Sequence, residues 1–98
     1  MNRASITIRA RADLDNIWLF IARDRPSAAD QLLDKFGRVF EDLARHPQMG
    51  ESRPELGRRI RAFSVGSYVI YFQTVDAGVE IVRIIHGARN VTDLRQMD

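Results

Sequence analysis

The stretch that decides the fold is residues 79–89, VEIVRIIHGAR. Val79, Ile81, Val82, Ile84 and Ile85 are apolar and mostly β-branched, which suits a pleated surface covered on both sides. The run is therefore expected to be an interior strand. Strict alternation puts Val79, Ile81, Arg83 and Ile85 on one face, and Glu80, Val82, Ile84 and His86 on the other. Each polar member must reach an edge, a partner or solvent. Gly87 ends the run and leaves His86 and Arg89 at its exit, a basic and titratable end where function is sought first.

Two further strands precede it, at about residues 59–65 and 68–74, separated by the turn residues Gly66-Ser67 and Asp76-Ala77-Gly78. Short turns between consecutive strands make an antiparallel meander. Tyr68, Ile70 and Phe72 alternate with Val69 and Tyr71, so the middle strand is apolar on both faces. Such a strand is either core beneath a second layer or a base-stacking platform like those of RNA-binding sheets. Residues 48–57 form the one long irregular stretch.

Upstream the period changes from two to 3.6. Ala29, Leu32, Leu33, Phe36, Val39, Phe40 and Leu43 make one helical stripe, with Gln31, Asp34, Arg38, Glu41 and Asp42 turned away. Pro26 opens this helix, Ser27 with Asp30 has the form of a weak capping box, and Pro47 with Gly50 stops it. Arg45 and His46 favour its negative end. Before it, residues 11–24 carry Leu14, Ile17, Trp18 and Ile21 at helical spacing. Ala10 and Arg11 stand where a cap would be expected, so this helix should fray at its start. Leu19 and Phe20 lie off the stripe. Residues 5–9, SITIR, alternate like a short strand. The order β-α-α-β-β-β implies an α+β domain, a helical hairpin packed on one face of a small, mostly antiparallel sheet.

Ninety-eight residues allow one domain, 1–98. No apolar run approaches the ~20 residues of a membrane span, and the N-terminus shows no signal-peptide pattern, so a cytoplasmic location is expected. The lack of cysteine excludes disulfides and thiolate metal sites. Of the 15 basic residues only Lys35 is a lysine. Arginine favours planar, bidentate contacts to carboxylate or phosphate. Arg53, Arg58, Arg59 and Arg61 form a local basic patch, either a solvated strand edge or a surface for nucleic acid or an acidic protein.

Nucleophile motifs, P-loops and dinucleotide fingerprints are absent, and two distant histidines make no metal signature. No cofactor or metal is implied. Glu80 and His86 on one strand would be ~20 Å apart, too far for a shared substrate atom. His46 reads as a helix-end group. For His86, structural, binding and proton-transfer roles stay open. Arg61 and Arg83 each interrupt an apolar strand, so each needs a carboxylate partner or a polar cleft.

Three segments in order, ADLDNIWLFIARDRPSAA, HPQMGESRPELGRRIRAFSVGSYVIYF and VEIVRIIHGARN, resemble the ParE branch of the RelE/ParE superfamily of bacterial toxins. The chain departs from the family pattern at Ala10-Arg11, where a serine or threonine followed by proline is frequent, and at Asn90, where aspartate is common. The resemblance implies a small α/β toxin in a hetero-oligomer with a cognate ParD-like antitoxin, with DNA gyrase as target. RelE-type members instead cut mRNA on the ribosome with basic residues and a late tyrosine. Arg61 and Arg89 match basic positions of that branch, but no tyrosine follows Tyr71. Some ribonucleases of this fold use histidine and glutamate, so His86 keeps a ribosome-dependent endoribonuclease as the alternative. A binding homologue without toxicity is the third reading, and direct nucleic-acid contact is open in all of them. The expected target-facing group is Arg61, Arg83, His86 and Arg89. The expected antitoxin-facing group is Asn16, Leu19, Phe20 and Arg23, where a disordered antitoxin segment would fold on the hairpin.

Overall fold

The computed structural model describes residues 2–88. Its elements are β1 (Arg3–Ile6), α1 (Ile8–Ala22), α2 (Pro26–Arg45), a 3-10 turn (Pro47–Met49), β2 (Glu51–Ser52), β3 (Ile60–Val65), β4 (Tyr68–Val75) and β5 (Gly78–His86). The five strands lie in the order β1-β5-β4-β3-β2. β1 runs parallel to β5 and every other pair is antiparallel. The apolar run at 79–85 is thus an interior strand between β1 and β4, as its composition requires.

Both helices cover one face of the sheet. Leu14 and Ile17 of α1, and Phe36, Phe40 and Leu43 of α2, pack with Ile70, Phe72, Val79, Ile81 and Ile84 in the main core. Each such side chain contributes ~1.5–3 kcal/mol on burial. Leu56, Ile60, Ala62, Tyr71 and Ile85 form a smaller cluster. The two apolar faces of β4 are therefore both core, and neither is a stacking platform. Gly78 has φ +142°, and a side chain there would collide with the backbone of Arg3, so glycine lets β1 come alongside β5.

Several local expectations need correction. SITIR is not one strand: β1 ends at Ile6, and Thr7 is the N-cap of α1, its Oγ1 accepting from the Ala10 N–H at 3.0 Å. The helix therefore starts earlier than expected and is capped, and Ile8 points into solvent. Ser27 and Asp30 form no capping box. The N-cap is Arg25 with no side-chain bond, Pro26 opens the helix, and Asp30 accepts from Trp18 Nε1 at 2.8 Å, tying α2 to α1. The irregular stretch contains β2, which pairs Glu51 with Ala62 and Ser52 with Arg61.

The faces of β5 also differ from strict alternation. Tyr71 pairs with Arg83 while Phe72 pairs with Ile81, which leaves Val82 as the extra residue of a β-bulge. Ile81 and Ile84 consequently both enter the main core, while Ile85 and Val82 join the smaller cluster. Glu80 and His86 do not share a face. Glu80 accepts from Gln73 Nε2 at 2.9 Å, across from Ile60 of the smaller cluster, whereas His86 stands against Tyr68, which packs on the main core.

Candidate functional site

The end of β5 is built by the start of α1. Pairing between β1 and β5 stops at Ile6 opposite Ile81, which would leave the rest of this edge without partners. Thr7 and Asp13 take over. Thr7 N–H donates to Ile81 O at 3.1 Å and its hydroxyl donates to Val82 O at 2.9 Å. Asp13 Oδ2 accepts from the Ile84 N–H at 3.0 Å. The same carboxylate receives Arg83 Nε at 2.8 Å and Nη2 at 3.1 Å, a bidentate pair. The hydrogen bond to Asp13, with its negative charge, holds the guanidinium above its ordinary pKa despite the cost of burial.

Arg83 therefore has the carboxylate partner that its place in an apolar strand demanded. It is only 7% exposed, so its side chain lies in the interior and not on the open surface that a target-facing role would require. The sequence did not reveal Asp13. Its signal was an acid beside the stripe residues Leu14 and Ile17, meaningful only once a buried arginine was known to face it.

His86 is exposed, edge-on to Tyr68 with ring centroids 5.4 Å apart. Its Nδ1 accepts from the Ala88 N–H at 3.2 Å, which fixes the ring over the turn that ends β5. Arg89 lies outside the described residues. Asn16, Leu19 and Phe20 of α1 and Arg23, its C-cap, are all exposed, and their spacing puts them on one stripe. Leu19 is 56% and Phe20 70% exposed. Asn16, Ile17 and Phe20 border a groove of ≈ 330 Å³ whose other wall is Tyr68, Ile84 and His86. The structure thus brings His86 beside two residues that the sequence had assigned to a different partner.

Arg61 lies elsewhere. It pairs with Phe72 on β4, four residues from the Tyr68 that pairs with His86, so the Arg61 and His86 backbones stand ~16 Å apart across two strand spacings. Its Nη2 donates to Gly50 O at 2.7 Å, and its buried Nε has no partner among the described residues. Gly50 is glycine because the Phe72 ring occupies the space of a side chain. Arg61 lines a cleft of ≈ 410 Å³ with Gln48, Ser52, Arg58, Arg59 and Thr74. Arg53, the other member of the basic patch, is engaged by Glu55 at 2.6 Å. That hydrogen bond raises the arginine's pKa and lowers the carboxylate's.

Among the described residues no group of three or more His, Asp or Glu is placed to hold a metal, and no helix is long and apolar enough to cross a membrane. The family described as "ParE toxin of type II toxin-antitoxin system, parDE" matches residues 5–91. Toxin ParE1 of Caulobacter vibrioides is 33% identical over 85 residues, covering 84% of this chain and 85% of that protein. Toxin RelE2 of the same organism is 35% identical over 83 residues, covering 85% and 92%. Among solved structures, the chromosomal ParDE toxin–antitoxin system of P. aeruginosa superposes with a TM-score of 0.73 at 21% identity, covering 88% of this chain and 96% of that one. The RelBE2 toxin–antitoxin complex of Mycobacterium tuberculosis gives 0.61 at 25% identity, covering 87% and 96%.

Proposed function

The chain belongs to the ParE toxin family of type II toxin–antitoxin systems, and from that premise we propose that it inhibits growth by binding and poisoning DNA gyrase until a cognate ParD-like antitoxin covers it. The antitoxin is expected along the Asn16, Leu19, Phe20 and Arg23 stripe, where exposed apolar side chains border a groove. Apolar anchors of that kind suit an amphipathic protein segment that folds on binding. Arg61, His86 and Arg89 are the proposed target contacts. Arg83 supports them by fixing the end of β5.

One observation carries the choice of binding over RNA cleavage, the lack of a free carboxylate beside His86 among the described residues. Asp13 lines the same groove but is held by Arg83 and the Ile84 N–H. Glu80 is bound to Gln73 on the other side of the sheet. General acid–base catalysis needs both groups within hydrogen-bond reach of the reacting atoms. A second reading, a ribosome-dependent endoribonuclease, draws on the exposed ring of His86 and on the similarity to a relative named RelE2.

Two assays on one purified sample separate these readings. The toxin is expected to block supercoiling by gyrase and to leave translated mRNA intact in primer extension. Codon-register cuts that disappear in His86→Ala would establish the nuclease instead. Inactivity in both assays would identify a binding homologue without toxicity.

A further inference from the structure

We propose that the cleft between the 3-10 turn, β2 and the start of β3 binds the sugar–phosphate backbone of nucleic acid, with Arg59 and Arg61 as its phosphate contacts. The proposal rests on the reading above only through Arg61, which it shares with the proposed target contacts; its surface is distinct from the α1 groove, and Arg59 belongs to it alone.

The two cavities differ in chemistry. The α1 groove sets Ile17, Phe20, Tyr68, Ile84 and Ile85 among Asp13, Asn16 and His86, a mostly apolar wall with the anchors typical of protein partners. The cleft is lined by three arginines and by Gln48, Ser52 and Thr74, with Pro47 as its one apolar member. Interfaces with nucleic acid are more polar and far more positive than those between proteins, and side-chain amides and hydroxyls supplement arginine on phosphate oxygens. No carboxylate lines the cleft. Among the described residues Arg59 is exposed and has no hydrogen bond or ion pair of its own. Arg61 has one amino group on Gly50 O and a buried Nε with no partner there, so its guanidinium is fixed in place with donor capacity left over. A held arginine at the start of β3 and a free one in the turn just before it present planar donors to neighbouring anionic groups. An acidic protein would supply carboxylates, yet the cleft offers no apolar seat for the rest of its interface.

The test is fluorescence anisotropy of the full chain with a labelled DNA duplex of arbitrary sequence, repeated across a salt series. Two phosphate contacts predict a log–log slope of about −1.8, so that affinity falls about twelvefold between about 50 and 200 mM salt. Arg59→Gln should bring the slope to about −0.9 and leave the melting temperature unchanged. Arg61→Gln should do the same to the slope. Arg38→Gln, an equal charge loss on the exposed side of α2, should change nothing. Absence of binding at low salt would overturn the proposal. So would an Arg38→Gln effect as large as that of Arg59→Gln, which would reduce the site to net charge. Displacement of the duplex by polyglutamate at equal charge concentration would overturn it as well, in favour of an acidic protein partner.

Discussion

Asp13 completes an edge that the backbone leaves open. Its carboxylate accepts from Arg83 twice and from the Ile84 N–H once, and both side chains are largely buried, so removing it strands a guanidinium and an amide together. Asp13→Ala should cost ~3–5 kcal/mol, a large share of the stability of so small a domain. In thermal unfolding this is a fall of at least ~12 °C. Asp13→Leu combined with Arg83→Met should cost less than either change alone, because the pair is removed without leaving an orphan charge. Equal and additive losses would mean that the two residues act separately. On the arginine side the clamp is silent near neutrality. Its pKa is raised by Asp13, so the stability it contributes is complete below the ordinary arginine value and is lost only as pH rises through the higher folded one. The sequence could demand a partner for Arg83 but not choose it among 13 acids. That choice depends on where β1 ends.

The element that repaid sequence reading least at its start, and most along its length, is α1. The stripe of Leu14, Ile17 and Ile21 was legible because helical spacing survives any tertiary context. Its beginning was not, because Ile6, Thr7 and Ile8 alternate as a strand would. What decides the matter is the length of the edge available on β5, and Thr7 then serves as both cap and edge donor. Thr7→Ala should therefore lower stability by ~1–2 kcal/mol, with Thr7→Ser recovering most of it. Urea unfolding should show this as a lower midpoint at constant slope, and an unchanged midpoint would contradict the double role. The bulge at Val82 was hidden for a different reason. Ile81, Val82, Ile84 and Ile85 are apolar in either phase, and Arg83 between them is satisfied by Asp13 and not by solvent, so the polar pattern does not report the slip. β2 is two residues long and carries no periodicity to read.

At the scale of the whole molecule the fold and family were legible, since the three quoted segments span nearly the chain and each also has an independent physical reading. The grouping of site residues was not. Arg61, Arg83 and His86 look alike in sequence, each a basic residue in or beside an apolar strand. The fold sends one to a polar cleft, one to an interior ion pair and one to the rim of the α1 groove. The central claim is that this chain is a growth inhibitor restrained across α1. Growth after induction of Phe20→Asp, with and without the cognate antitoxin, tests that claim most directly. Phe20 is exposed, so the variant should fold and remain toxic, and the antitoxin should no longer rescue the cells. Rescue as complete as for the unaltered toxin, or a variant that is folded and harmless in both cultures, would contradict the account.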